Sequence, residues 1–299
     1  MVTPDSLALS LPTAGGAAGA WHAVVSFGRR KPVAAVSAFV ILLLLTVAVF
    51  APQIARYPYD EPHVRDRLQG PSVSYWLGTD GTGRDTFSRL VYGARVTMIV
   101  SVGAVVLATV VAGTIGIVTG YFGGLVDTAV QRLVDVWMSL PGLVLIISVV
   151  AVFGTGITQL LVILGFVFAG GTSRVIRSAT ITIRSSVYIE AAHAVGAPHV
   201  RVMLRYILPN VLPTMIVVAT VQLGAVILVE SALSFLGYGV PPPFPSWGAM
   251  LNTSTTQHML KQPMLSVWPG LAITCTVFSF NMLGDGLRDV LDPRMRGSR

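Results

Sequence analysis

This chain carries little charge: Asp, Glu, Lys and Arg make up 11% of its 299 residues, whereas 53% are hydrophobic. Soluble domains carry about 25% charged residues. Composition therefore argues against a soluble fold, and the mean hydropathy of +0.74 points to lipid. Cysteine is nearly absent as well. The single thiol, Cys275, cannot form an intrachain disulfide, so no covalent staple holds the fold. Lysine is scarce, with only Lys31 and Lys261 among twenty basic residues, a bias that reads as coding composition and not as mechanism. A G-x-x-x-x-G-K-S/T loop is missing, since neither lysine follows the glycines that would cradle a phosphate. The glycine-rich stretch Gly78, Gly81, Gly83 is followed by Arg84 and falls on the outer side, away from cytosolic ATP. His22, His63, His193, His199 and His258 show no metal-ligand spacing, and His193 and His199 straddle a helix break. Groups that could form a Ser–His–Asp or Cys–His arrangement fall on opposite membrane faces, so no catalytic site is expected. The net charge of +7 would suit nucleic acid, but the arginines are dispersed and flank apolar runs.

Long apolar runs are what the chain does have. A helix needs about 20 mainly apolar residues to cross a hydrocarbon core of about 30 Å. Six stretches meet that length, near 33–54, 96–121, 133–153, 157–177, 210–234 and 264–286. The expected fold class is an all-α polytopic membrane protein with six transmembrane helices. The first run is too long for a signal peptide, stands about 30 residues into the chain and has no small-residue cleavage site after it. With the N-terminus inside, the cytoplasmic flanks hold thirteen basic residues and the outer flanks seven. Six of those seven lie in one long outer loop, where charge is less decisive, so the bias supports both ends inside. The second run carries Ala104, Ala108, Ala112, Gly116 and Gly120 at every fourth position, a smooth ridge on a helix. Helices in lipid associate by close packing, so small residues at this spacing mark an interface.

The segment between the fourth and fifth runs is patterned differently. Ile183, Val187, Ala191, Ala194 and Val195 sit at helical spacing, Gly196 permits a helix C-cap, and Pro198 suits the first position of a second helix. That second helix repeats an apolar stripe at Val200, Met203, Leu204, Ile207 and Leu208, with Arg201 and Arg205 off it. Two short amphipathic helices in an elbow either lie on lipid headgroups or place one face in a partner's groove.

The residues of this elbow decide between the two. Glu190-Ala191-Ala192, Gly196 and Leu208-Pro209 resemble the EAA loop of the permease subunits of binding-protein-dependent ABC importers, with Tyr206 where that family often has isoleucine. Other stretches resemble the dipeptide/oligopeptide/nickel group of the family. They are Leu77-Gly78-Thr79-Asp80 with Gly83-Arg84-Asp85, Gly120-Tyr121-Phe122-Gly123-Gly124 with Asp127, Arg132 and Asp135, Leu233-Ser234-Phe235-Leu236-Gly237 with Pro245-Ser246-Trp247-Gly248, and Gly284-Asp285-Gly286 with Leu291-Asp292-Pro293-Arg294. The resemblance runs over roughly 30–295, and the Gly-Thr-Asp stretch resembles the C-type partner of the permease pair.

The resemblance implies a type I ABC importer permease fold. It divides the chain into a cytoplasmic segment over 1–32 and a permease domain over 33–299. Within the domain it implies an outer segment over 55–95, the cytoplasmic EAA loop over 178–209 and an outer loop over 235–263. It also implies the partners: a second homologous permease subunit, two ATP-binding subunits or domains, an extracytoplasmic substrate-binding protein, and membrane lipid. ATP and Mg would be bound by those partners, and no cofactor by this chain. The implied ATPase-coupling residues are Glu190, Ala191, Ala192, Gly196, Leu208 and Pro209, with Glu190 as the polar contact. The implied activity is ATP-driven import of di- to oligopeptides in the bacterial cytoplasmic membrane, with nickel or heme as alternative cargo.

Outside the elbow the reading stays open. Gln222 stands near mid-membrane and could line a pathway. Glu230 is an intramembrane acid, by default a functional hypothesis, yet it could instead reach the outer interface or pair with an outer arginine. The proline-rich stretch around Pro243, with Trp247, either docks the binding protein or covers the outer mouth. A secondary transporter, the alternative of a different class, would need repeats or discontinuous helices with midplane acids, and the sequence shows no clear set.

Topology gives the first test. Single cysteines replacing Ser72, Thr253 and Ser298 in a Cys275→Ala background should separate by side. Impermeant thiol reagent outside intact cells should label the first two and spare the third; labelling at 298 would overturn the orientation.

Overall fold

The protein is described here from a computed structural model over residues 31–258 and 260–291. The first 30 residues, and the tail stretch Asp292-Pro293-Arg294 with Ser298, lie outside the described residues. Among the described residues there is no β-strand, only an isolated bridge between Thr79 and Asp85.

Helix α1 spans Pro32–Val49 and is apolar all round, with Phe39, Leu42 and Leu43 exposed as a lipid-facing span requires. After an outer segment, α2 runs Thr86–Phe122. It begins ten residues before the expected 96, because Asp85 caps it. The Asp85 carboxylate accepts from the Ser88 N–H at 2.9 Å and the Ser88 hydroxyl at 2.6 Å, which satisfies donors that a helix start leaves open. At 37 residues α2 is about 55 Å long at about 1.5 Å per residue, well beyond the hydrocarbon core, so its outer turns stand clear of lipid.

The third apolar run is not the single span expected over 133–153. Two helices, α3 (Gly124–Met138) and α4 (Gly142–Phe153), meet at an angle of 81°. Pro141 is the cause: it has no N–H to continue α3, and it disfavours helical geometry at Leu140 before it. The chain thus contains a discontinuous helix, which its hydropathy hid. Helix α5 (Ile157–Arg184) starts where expected and runs seven residues past 177. Two ion pairs fasten α3 to it, Asp127 with Arg177 and Asp135 with Arg174.

Next come α6 (Val187–Ala194) and α7 (His199–Val202). The remaining helices are α8 (Leu208–Phe235), α9 (Trp247–Thr253) and α10 (Met264–Leu291). Five helices are long and apolar enough to cross a membrane, and six spans result if the bent α3–α4 pair counts as one. Contacts sort the loops to two ends. At one end Lys31 pairs with Asp289 at 2.6 Å and Tyr121 meets the segment after α5. At the other, Gln262 Nε2 donates to Leu68 O at 2.6 Å and Tyr59 stacks on Phe244. The first and last spans therefore share an end, as an even number of crossings demands.

The pairing of α2 with α5 is the most extensive in the chain. The small-residue ridge lies in it: Ala104, Ala108 and Ala112 have no exposed surface. A Cβ on Gly116 would stand 2.7 Å from Ser173 O, and one on Gly120 would stand 2.7 Å from Thr180 Cβ. Gly165 answers from α5, where a Cβ would meet Leu107 Cδ2 at 2.7 Å. The interface expected from the spacing is thus within the subunit.

The ridge predicts a contrast between glycines. Gly116→Ala should destabilise by about 1–3 kcal/mol through overpacking. Gly270→Ala, in α10 with nothing within 4 Å of the new methyl, should be neutral or slightly stabilising. Thermal unfolding of the detergent-solubilised protein checks both; equal midpoints for the two variants would remove the close-packing account.

Candidate functional site

The elbow is built from a capped helix end. Helix α6 stops because Gly196 takes φ +76°, a left-handed conformation that a side chain would strain. The Gly196 N–H donates to His193 O at 2.9 Å and the Ala197 N–H to Ala192 O at 3.0 Å, the paired bonds of a Schellman cap. No atom lies within 4 Å of a Cβ at Gly196, so glycine is needed there for backbone angle and not for room. Pro198 is the N-cap of α7, one position before the expected N1.

The second helix of the elbow is not separate, as expected, but the first turns of the next span. Residues His199–Phe235 form one helical stretch of 37 residues, interrupted only by a widened π-type turn at Met203–Ile207. There the Leu208 N–H reaches back five residues to Met203 O. Pro209 explains the widening. Its ring would press on the carbonyl of Arg205 and it has no N–H to give, so the looser turn removes the conflict. Asn210 Nδ2 donates to Tyr206 O at 2.6 Å in the same turn. Leu208 and Pro209 therefore sit where elbow and span fuse.

One face of the elbow is buried and the other is open. Ile189, Ala192, Val202 and Ile207 pack with Ile117, Tyr121, Ile176 and Met215 of the spans. Val187, Val195, Val200 and Leu204 are exposed, as are Glu190 and Ala191. Among the described residues Glu190 has no side-chain hydrogen bond or ion pair, so its carboxylate is open to a partner.

Beside the elbow, α5 and α8 line an open cavity of about 680 Å³, within the size of ordinary small-molecule sites. Phe168, Gly171, Thr172 and Val175 form one wall, and Pro213, Thr214, Val217, Val218, Val221, Gln222 and Ala225 the other. Arg288 of α10 stands at its edge. Gln222 is 7% exposed, and its Nε2 donates to Phe168 O at 3.1 Å across the two walls. Its Oε1 is buried and has no protein partner.

Glu230 is elsewhere. It is fully buried between α8 and α2, where Ser234 donates at 2.8 Å, Thr97 at 3.4 Å and Ser231 at 3.5 Å. It lines no part of this cavity and pairs with no arginine. Trp247 is enclosed as well. It is 1% exposed, its indole N–H donates to Leu90 O at 3.0 Å, and Gly93 lies against its ring. A side chain enclosed in this way is a wedge holding the outer ends of the spans and offers no docking surface. Pro243, in the exposed stretch beside it, remains accessible.

The outer motif around Asp80 also proves architectural. Its carboxylate accepts from the Thr82 N–H at 2.8 Å, the Thr82 hydroxyl at 2.7 Å and Arg84 Nε at 2.8 Å. Burial pushes its acidity toward the neutral form, but the Thr82 hydrogen bonds and the Arg84 charge outweigh that and hold the carboxyl below its ordinary value. The sequence placed Tyr121 in a motif stretch but gave it no role, and it gave none to Arg288, because neither has a chemical partner at a recognisable spacing. Among the described residues no cluster of three His, Cys, Asp or Glu side chains could hold a metal.

Comparisons with known proteins agree with this geometry. Residues 112–297 match the family model of binding-protein-dependent transport system inner membrane components. Residues 21–71 match the N-terminal transmembrane domain of oligopeptide transport permease C. A dipeptide transport system permease protein of Alkalihalophilus pseudofirmus is 38% identical over 276 residues, 92% of this chain and 90% of the relative. A glutathione transport system permease protein of Escherichia coli is 38% identical over 278 residues, 93% of this chain and 91% of the relative. Among solved structures, an inward-facing form of the MetNI methionine ABC transporter superposes with a TM-score of 0.56 at 19% identity, covering 68% of this chain and 96% of that one. That likeness bears on the fold alone. The matched family covers more than half of the chain, and the chain belongs to it: this is a multi-pass inner-membrane permease component of a binding-protein-dependent ABC transport system.

Proposed function

We propose that this subunit forms half of the pathway by which an ATP-driven importer brings di- to oligopeptides into the cell. The observation that carries the cargo is the full-length similarity to permeases named for dipeptide and glutathione transport, both peptides. The cavity supports it. An apolar lining with few polar groups, Thr172, Thr214 and Gln222 among them, tolerates varied side chains. Arg288 at the edge could balance a carboxylate. The machine this implies has a second homologous permease, two ATP-binding subunits or domains carrying ATP and Mg, and an extracytoplasmic binding protein whose docking would involve the exposed stretch at Pro243. Selection of cargo would rest largely with that binding protein.

Coupling is assigned to the elbow, through Glu190, Ala191, Ala192, Gly196, Leu208 and Pro209. Its open apolar face and free carboxylate suit a groove on each ATPase, and its rigid cap suits transmission. Moving a two-state equilibrium from 1:99 to 99:1 takes about 5.5 kcal/mol of differential binding, which a floppy loop would dissipate. Because α7 continues into α8, displacement of the elbow would reach one wall of the cavity through the widened turn at Met203–Ile207.

Two measurements test this reading. Glu190→Lys should leave assembly intact and sharply reduce peptide uptake by the reconstituted complex, and Gly196→Val should be worse because it strains the cap. Unchanged substrate-stimulated ATP hydrolysis and uptake in both variants would remove the coupling role. For the cargo, deleting the gene should block growth on a peptide as sole source of an amino acid while sparing the free amino acid. Loss of nickel-dependent enzyme activity, rescued by excess nickel with peptide uptake intact, would replace the peptide assignment. Proton-driven uptake by the isolated chain would remove the ATP-driven reading altogether.

A further inference from the structure

In the last turn of α2, beneath the elbow, stands Tyr121, a side chain 5% exposed. Its hydroxyl lies 2.6 Å from Nδ1 of His199 and 3.4 Å from Nε2 of His193. A phenol has one proton to give and lone pairs to accept with, so it can donate to one imidazole while accepting from the other. The three rings stand at nearly equal separations: 6.0 Å for Tyr121 to His193, 5.7 Å for Tyr121 to His199 and 5.8 Å between the histidines. His193 belongs to α6 and His199 to α7, so one phenol grips both arms of the elbow. Among the described residues these are the only side-chain hydrogen bonds that α6 and α7 make to the rest of the chain. The other contacts of the elbow are apolar and come from Ile189, Ala192 and Val202, which resist separation but not sliding. A directional bond fixes register where apolar contact does not.

We propose that Tyr121 is a positioning residue that keys the elbow to the α2–α5 pair, so that elbow movement reaches both walls of the cavity. This rests on the coupling role proposed for the elbow. The next residue back, Gly120, lies against Thr180 and the Arg177 carbonyl of α5, so α2 cannot shift at this end without α5. Helix α5 forms one cavity wall and α8 the other. His199 is the junction: it bonds to Tyr121 on one side and begins the helix that becomes α8 on the other. Without the key the elbow would drive α8 alone, through a widened turn at Met203–Ile207 and past Pro213, and part of the displacement would be lost there.

The test reads cavity access and needs no knowledge of the cargo. Val217, in the α8 wall, is replaced by Val217→Cys in a Cys275→Ala background and assembled with its partner subunits. Thiol labelling is measured nucleotide-free and with the ATPases trapped on an ATP analogue. The parent should show a nucleotide-dependent change in labelling rate. Tyr121→Phe, which keeps the ring and removes the hydroxyl, should reduce that response about fivefold or more, the lower range of an allosteric coupling. His199→Leu should do the same, whereas His199→Asn, whose amide stands where Nδ1 stands, should retain it. An undiminished response in Tyr121→Phe overturns the proposal, as does equal loss in the Leu and Asn variants. If Tyr121→Phe fails to assemble, the His199 pair decides. Peptide uptake is followed in the same preparations. A parent that responds to nucleotide yet imports no peptide sinks the cargo assignment and leaves the key to be judged by labelling. A parent with no response sinks the coupling role, and the key with it.

Discussion

Everything in this chain is arranged around the close approach of α2 and α5. Lipid offers no hydrophobic drive to bring two apolar helices together, so association depends on how near the backbones can come. Ala104, Ala108, Ala112, Gly116 and Gly120 remove the obstacle on one helix, and Gly165 removes it on the other. The pair then acts as a fixed frame. Helix α3 is strapped to it by the two aspartate–arginine pairs, the elbow packs on its end, and α8 closes against it to form the cavity.

Polar groups within the spans follow from the same medium. Each is costly in hydrocarbon unless it is met from inside the protein. Glu230 is met by three hydroxyls, and Gln222 by one carbonyl. The two differ in surroundings: the acid is enclosed between α8 and α2, while the Gln222 side chain lines the cavity. The break at Pro141 is subject to the same rule, since non-helical backbone within a membrane must be enclosed by protein or line a water-filled space.

The elbow shows how a small number of special residues turns a chain segment into a mechanical part. Gly196 sets the angle, Pro198 opens the second arm, and Pro209 loosens the turn that joins this arm to α8. The result is a fixed angle at the exposed elbow and a looser turn where it joins the long helix.

Much of this was legible in the sequence because it is written locally. Hydropathy runs located the spans, fourfold spacing of small residues exposed the ridge, and glycine and proline placed the elbow within a residue. What the sequence left undecided depends on contacts between residues far apart in the chain. Hydropathy is blind to direction, so Leu140-Pro141 inside an apolar run hid an 81° bend. The stripe from Val200 to Leu208 fits a short helix and a helix start equally, and only the three-dimensional course of the chain showed that it continues into α8. Trp247 was ambiguous because an indole suits a surface or a wedge, and Leu90, 157 residues away, settled it. Tyr121 lies 72 residues from His193 and 78 from His199, with no periodicity linking them. Pattern fixes which face a helix buries; only packing decides which distant side chain waits there.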